Sequence, residues 1–153
     1  MRYIGIDLGT SSVKLLLMDE DGTILRTVSR SYPLSMPRSG WSEQDPEDWW
    51  QETCAGVRQL LEGESPSSVA GLSFGGQMHG LVVLDKDDRV LRPAILWNDS
   101  RTAEETSRLN REVGEAQLAR WTGNIAFAGF TAPKLLWMQS HEPELFARID
   151  KVM

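Results

Sequence analysis

Asp7 is followed by Leu8-Gly9-Thr10-Ser11-Ser12, and Lys14 comes two residues later. A carboxylate in this setting suits a magnesium ion or its water shell, because magnesium is hard and takes oxygen ligands. Gly9 gives the chain a freedom that a side chain would remove. Small hydroxyls and backbone N–H groups in the residues after it can cradle phosphate oxygens, as a nest of amides does. Lys14 adds a positive charge. The same pattern would also serve a plain β-hairpin with hydroxyls facing solvent, since short motifs have many false matches. A second candidate is Gly75-Gly76-Gln77-Met78-His79-Gly80. The glycines allow close approach of a ligand, Gln77 and His79 offer donors and acceptors suited to hydroxyls, and Met78 offers an adaptable apolar surface. A lone histidine is also commonly structural. The third is Trp97-Asn98-Asp99-Ser100-Arg101, where an aromatic face beside an amide, a carboxylate and a guanidinium would suit a polyol. Asp99 is equally a candidate helix cap, with Arg101 as its surface partner.

These loops need elements to hold them. Tyr3 to Leu8, Val13 to Asp19 and Thr23 to Tyr32 are rich in apolar and β-branched residues and are separated by short turns, which predicts an antiparallel three-strand meander. Pro33, Pro37 and Gly40 mark a loop. Asp45 as N-cap, Pro46 at the first position and acidic Glu47 and Asp48 predict a helix start, and Gly63 its end. Trp50, Cys54, Val57 and Leu61 recur at helical spacing and are the predicted inner face. Trp41, Trp49 and Trp50 are read as packing residues rather than as sugar-stacking platforms. Val69 to Phe74 reads as a buried strand, Leu81 to Asp85 as another, and Val90 to Trp97 as extended with a break at Pro93. Asp85 to Arg89 reads as a solvated charged turn. Helices are expected from Thr102 to Val113, Gly114 to Trp121, from Thr131 (as its own cap) and from Pro143. Lys151 and Val152 read as the start of a further strand, so the chain is expected to be a fragment.

The chain has 153 residues and a net charge of −6. The length fits one domain with a sizeable core. The acidic balance argues against a nucleic-acid surface, no apolar run approaches membrane-spanning length, and the N-terminus enters a strand directly; a cytoplasmic protein is expected. Cys54 is the sole cysteine, which rules out intrachain disulfides and cysteine-cluster metal sites. It is read as a small buried side chain.

Five stretches together resemble the N-terminal part of FGGY carbohydrate kinases, in particular those acting on D-xylulose. They are Gly5 to Ser11, Trp41 to Pro46 with Trp49-Trp50, Gly76 to Gly80, Arg92 to Asp99, and Gly129 to Trp137. The resemblance implies an α/β fold of ribonuclease H-like, actin-like ATPase type: a mixed sheet with flanking helices, here the incomplete N-terminal domain over residues 1–153. It implies transfer of the ATP γ-phosphoryl group, with Mg2+, to D-xylulose, giving D-xylulose 5-phosphate. Asp7 and Gly9, Thr10, Ser11, Ser12 and Lys14 then fall at the phosphate segment, Asp7 meeting magnesium through water. Gln77, Met78, His79, Trp97, Asn98 and Asp99 fall where the sugar is held. The resemblance also implies that the general-base aspartate and the adenine pocket lie beyond Met153, that this stretch alone is inactive, and that the whole enzyme can form a homodimer. Other readings are an FGGY kinase for ribulose, fuculose or gluconate, and a non-catalytic actin-like module.

Overall fold

The computed structural model describes residues 1–153. In chain order the elements are β1 (Arg2–Leu8), β2 (Ser12–Asp19), β3 (Ile24–Ser31), β4 (Glu43–Gln44), α1 (Pro46–Leu60), β5 (Val69–Gly76), β6 (Val83–Leu84) and β7 (Ala94–Ile95). They continue with α2 (Ala103–Leu109), α3 (Glu115–Thr122), α4 (Thr131–His141), α5 (Pro143–Phe146) and β8 (Lys151–Val152). They divide into two compact units, Met1–Leu34 with Pro46–Gln77, and Ser35–Asp45 with Met78–Met153.

The first unit is a mixed four-stranded sheet in the order β3-β2-β1-β5. β1, β2 and β3 form the expected antiparallel meander, and β5 lies parallel to β1. A parallel neighbour requires a crossover, and α1 supplies it. Pro46 opens that helix, Glu47 and Asp48 occupy its first turn and Arg58 its last, all matched to the helix dipole. Alternate residues of the strands point to one face, where Ile4, Ile6, Val13, Leu15, Leu17, Val28, Tyr32 and Leu60 form the core.

Half of the expected stripe on the helix holds, since Val57 and Leu61 pack on the core, and the other half does not. Thr53, Gly56 and Leu60 are buried and Trp49 packs on the core, whereas Trp50 is 64% exposed and Cys54 only half-buried. Gly56 lies on this buried face. A Cβ there would sit 2.5 Å from Leu15 Cδ1, so the bare glycine lets the helix lie close against this side chain. A reading of apolar periodicity gives a glycine no weight. A second correction concerns β5, which was expected to be buried. It ends the sheet, and Leu72 and Phe74 are 46% and 70% exposed. Together with Trp49, Trp50 and Cys54 they line an open apolar groove.

In the second unit, β4 pairs antiparallel with β7, matching Glu43 to Ile95 and Gln44 to Ala94, and β6 pairs antiparallel with β8. Leu81, Val83, Ile95, Trp137 and Met138 form its core, with Trp41, Leu135, Phe146 and Ile149 packed around them. The strand expected over Leu81 to Asp85 shortens to β6. The helix expected to run to Val113 stops at Leu109 and passes through a π-helical turn, Asn110–Gly114. At the start of that turn the Asn110 side chain donates to the carbonyl and accepts the N–H of Ala126, at 3.0 and 2.9 Å. The Asp85 turn is not simply solvated. Asp85 is buried, and its carboxylate accepts the N–H groups of Asp87 and Arg89, at 2.9 and 3.0 Å. Those bonds, the one from Arg89 foremost, hold its pKa below the usual carboxylate value. No helix is long and apolar enough to cross a membrane.

Candidate functional site

In the first unit the candidates gather at one end of the sheet. β1 and β5 are parallel, so their C-terminal ends lie together, and the register sets Asp7 between Lys14 on β2 and Gly75 on β5. Asp7 and Lys14 are both exposed, as opposite charges facing across an antiparallel pair. Gly9 to Ser12 form the turn between β1 and β2. The Gly9 N–H donates to the Ser12 carbonyl at 3.0 Å, so this amide closes the turn and is not offered outward. A Cβ at Gly9 would lie 3.1 Å from that same carbonyl, which makes the residue's smallness part of the turn. The Tyr32 hydroxyl donates to the Gly9 carbonyl from behind. Burial, and next the Asp7 charge, push the Tyr32 pKa up to about 12, so the hydroxyl keeps its proton further into alkaline pH than an ordinary tyrosine. Beyond β5, the Gln77 N–H donates to the Leu8 carbonyl at 2.8 Å and carries the β1 pairing one residue further. The result is an exposed carboxylate beside a small-residue turn with hydroxyls at its surface.

In the second unit, Met78 and His79 are exposed, and His79 takes a left-handed backbone with φ of 62°. That is uncommon for a residue with a side chain. Two groups hold it. The imidazole stacks on Phe130, ring centroids 4.4 Å apart, and the Lys134 ammonium donates to the His79 carbonyl at 2.6 Å. Trp97 and Asn98 are also exposed. The carbonyl of Trp97 abuts Gly129, where a Cβ would sit 2.4 Å away. The loop 127–130 thus touches both 97–101, through Gly129, and 78–80, through the Phe130 ring, within this unit.

Asp99 and Arg101 do not stand at the surface as a cap and its partner. Both side chains are within 1% of full burial. The Asp99 carboxylate accepts the Ser42 N–H at 2.6 Å, the Arg101 N–H at 2.9 Å and the Arg101 guanidinium at 2.9 and 2.7 Å. Arg101 also reaches Glu43 at 2.8 Å, and its guanidinium lies 3.7 Å from the centre of the Trp41 ring. Glu43 is shared with Arg92, whose Nη1 donates to both oxygens of Glu142 at 2.7 and 2.8 Å. Buried charges persist when they are paired and hydrogen-bonded, and each charge of this network is paired, although Arg101 Nη1 is buried without a hydrogen-bond partner. It leaves Asp99 with no face toward a ligand. The Asp99 carboxylate, expected at the sugar, is instead engaged with Ser42 and Arg101 next to the exposed Trp97 and Asn98.

Glu43, Arg92, Phe130 and Lys134 were not singled out from the sequence. Their stretches were: those of Glu43, Phe130 and Lys134 were assigned to packing and helix starts, and that of Arg92 to the sugar through Trp97. Thr131 does not cap α4 with its side chain: Phe130 is the cap residue, and the Thr131 hydroxyl lies 3.5 Å from the His79 carbonyl. A polar residue just inside a helix start, on a stretch that matches a signature, was the one available signal.

Residues 2–153 match the model of the FGGY family of carbohydrate kinases, N-terminal domain. The chain is 50% identical over 151 residues to the xylulose kinase of Escherichia coli (strain K12), covering 99% of this chain and 31% of that protein. It is similar to the crystal structure of a xyloylose kinase from Brucella ovis, with 44% identity and a TM-score of 0.93, covering 100% of this chain and 32% of that one. It is also similar to the xylulose kinase of Rhodospirillum rubrum, with 33% identity and a TM-score of 0.94, covering 99% and 32%. The chain thus spans less than a third of the Escherichia coli relative's length.

Proposed function

The chain belongs to the FGGY family of carbohydrate kinases, as an N-terminal domain, and on that premise we propose that it serves a longer polypeptide which phosphorylates D-xylulose with ATP. The observation that carries the sugar reading is the His79 loop. An exposed imidazole, fixed by stacking and by its own backbone, stands in the same unit as the exposed Met78, Trp97 and Asn98. A hydrogen-bonding ring with an apolar and an aromatic neighbour fits a small polyol. Such a site rejects a sugar lacking the matching hydroxyl, because the ring would be left unpaired. The 50% identity to a xylulose kinase supports D-xylulose as that sugar. Asp99, Arg101 and Glu43 act one step back, by holding the Trp97 loop.

In the first unit, the turn Gly9 to Ser12 serves the phosphate groups of ATP, with the Thr10, Ser11 and Ser12 hydroxyls as its polar surface and Lys14 as a nearby positive charge. Asp7 is the residue that would hold Mg2+. A single exposed carboxylate fits, since magnesium keeps several waters and is bound through one or two carboxylates together with substrate phosphates. When bound, the ion supplies charge neutralisation at the phosphates. Phosphoryl transfer rests on positioning and electrostatics, so a chain lacking the base and the adenine pocket transfers nothing by itself.

The test is an ADP-release assay on the full-length protein with D-xylulose, ribulose, gluconate and glycerol, beside the 1–153 chain alone. The proposal expects D-xylulose to give the highest kcat/KM in the full-length protein and the short chain to show no sugar-dependent turnover. Preference for another sugar would reassign the substrate.

A further inference from the structure

Lys134 is a costly residue. Its side chain is fully buried, near the N-terminus of α4, where a cation opposes the helix dipole. It has no carboxylate in hydrogen-bond contact. Its ammonium instead donates to two backbone carbonyls, that of His79 at 2.6 Å and that of Gly129 at 2.7 Å. Those two carbonyls belong to separate loops. One is the carbonyl of the residue with the left-handed backbone. The other belongs to the glycine pressed against the Trp97 carbonyl, and the residue after it, Phe130, is the ring on which His79 stacks. A buried lysine that serves only packing would be better replaced by an apolar side chain. One that spends both bonds on loop carbonyls fixes where those loops lie.

We propose that Lys134 is a positioning residue for sugar recognition: by joining the His79 and Gly129 carbonyls it holds the His79 imidazole against Phe130 and so presents it to the substrate. This rests on the reading of His79 as a sugar-binding residue. Lys134 itself touches no substrate. Without it, two buried carbonyls lose their partner, and the left-handed backbone at His79 loses the bond that offsets its strain.

The experiment uses the full-length protein with Lys134→Met, His79→Ala and the double variant. Two readouts are taken. The first is the NMR signal of the His79 ring protons, assigned by His79→Gln; stacking on Phe130 shifts them upfield. His141, stacked on Trp137 with centroids 4.8 Å apart, is the internal control for intact packing. The second is kcat/KM for D-xylulose together with KM for ATP. The proposal expects Lys134→Met to abolish the His79 shift and leave that of His141. It also expects D-xylulose kcat/KM to fall about tenfold to a hundredfold, as for an unpaired buried partner, with KM for ATP unchanged. The double variant should lose no more than the worse single. A retained His79 shift with unchanged kinetics would overturn the proposal, and so would losses that simply multiply in the double variant. A lost His79 shift with unchanged sugar kinetics would uphold the positioning and overturn the sugar reading of His79. Should Lys134→Met fail to fold, Lys134→Gln, one bond shorter but with two N–H donors, replaces it; a partial return of the shift supports the proposal, and a wild-type signal and kinetics overturn it.

Discussion

The two units carry their exposed loops in different ways. In the first, the Gly9 to Ser12 turn is held by backbone: sheet register, the Gly9 to Ser12 bond and a tyrosine hydroxyl on a carbonyl. Its support is an apolar core of aliphatic side chains. In the second, the Trp97 loop hangs from a buried network of Asp99, Arg101, Glu43 and Arg92, with the arginines lying over Trp41 and Trp137. Sheet hydrogen bonds are indifferent to side-chain identity, so a sheet tolerates substitution of similar volume. A network of forked charges is specific to geometry. That difference suits the proposed roles: phosphate is bound by any polar nest, whereas one sugar must be told from another.

The largest expected effect breaks the network. Arg101→Met leaves the Asp99 and Glu43 carboxylates buried with a partner removed, and should cost about 3–5 kcal/mol in the unfolding free energy of the full-length protein. Arg101→Lys should cost nearly as much, since an ammonium cannot make the forked contact. Denaturant titration of both variants checks this. A lysine variant as stable as wild type would show the network to be mere charge balance.

In the first unit, Leu15→Ala should cost about 2–5 kcal/mol, while Leu15→Met should cost less than about 1.5 kcal/mol. The same titration reads the contrast: a large gap between Leu15→Met and Leu15→Ala, and a small one between Arg101→Lys and Arg101→Met. Equal gaps would erase the distinction between the units.

A smaller effect separates the units by pH. Burial lowers the Lys134 pKa from 10.5 to about 8, with the Asp99 charge partly opposing and the Arg101 charge assisting. Between those values the unfolded chain holds a proton that the folded one has released, so this residue makes stability rise with pH. Tyr32 acts the other way. Its pKa rises from 10.0 to about 12, so between those values the folded state holds the extra proton and stability falls as pH rises. Unfolding curves across this range should lose the rise in Lys134→Met and the fall in Tyr32→Phe. A Lys134→Met difference that stays flat with pH would contradict the burial assigned to that ammonium.

The meander, the α1 start and the exposed turn at Gly9 were legible because each rests on local features: β-branched runs, a proline at the first helical position, a small-residue turn. The full buried face of α1 was not, because Thr53 and Gly56, which carry no weight in a hydrophobic pattern, belong to it beside Val57 and Leu61. The exposure of β5 was not either, since an apolar strand reads as buried wherever its neighbours are unknown. Among site residues, Asp7, His79 and Trp97 stood out by type and position at strand ends. The burial of Arg101 and Lys134 was not legible, because a charged residue in sequence reads as surface. Only the arrangement of Glu43, Asp99 and two distant carbonyls makes burial of those cations affordable.

The central claim is a division of labour, phosphate on the Asp7 loop and sugar on the His79 loop. It is tested most directly by one crossed measurement on the full-length protein: kcat, and KM for both D-xylulose and ATP, in Asp7→Asn and in His79→Ala. The account predicts that Asp7→Asn lowers kcat about a hundredfold or more with little change in KM for D-xylulose, as for loss of charge stabilisation in the transition state. It predicts that His79→Ala lowers D-xylulose kcat/KM by the equivalent of about 1–3 kcal/mol while KM for ATP stays put. Near-normal turnover in Asp7→Asn, or a His79→Ala variant that leaves D-xylulose unaffected or weakens ATP equally, would contradict it.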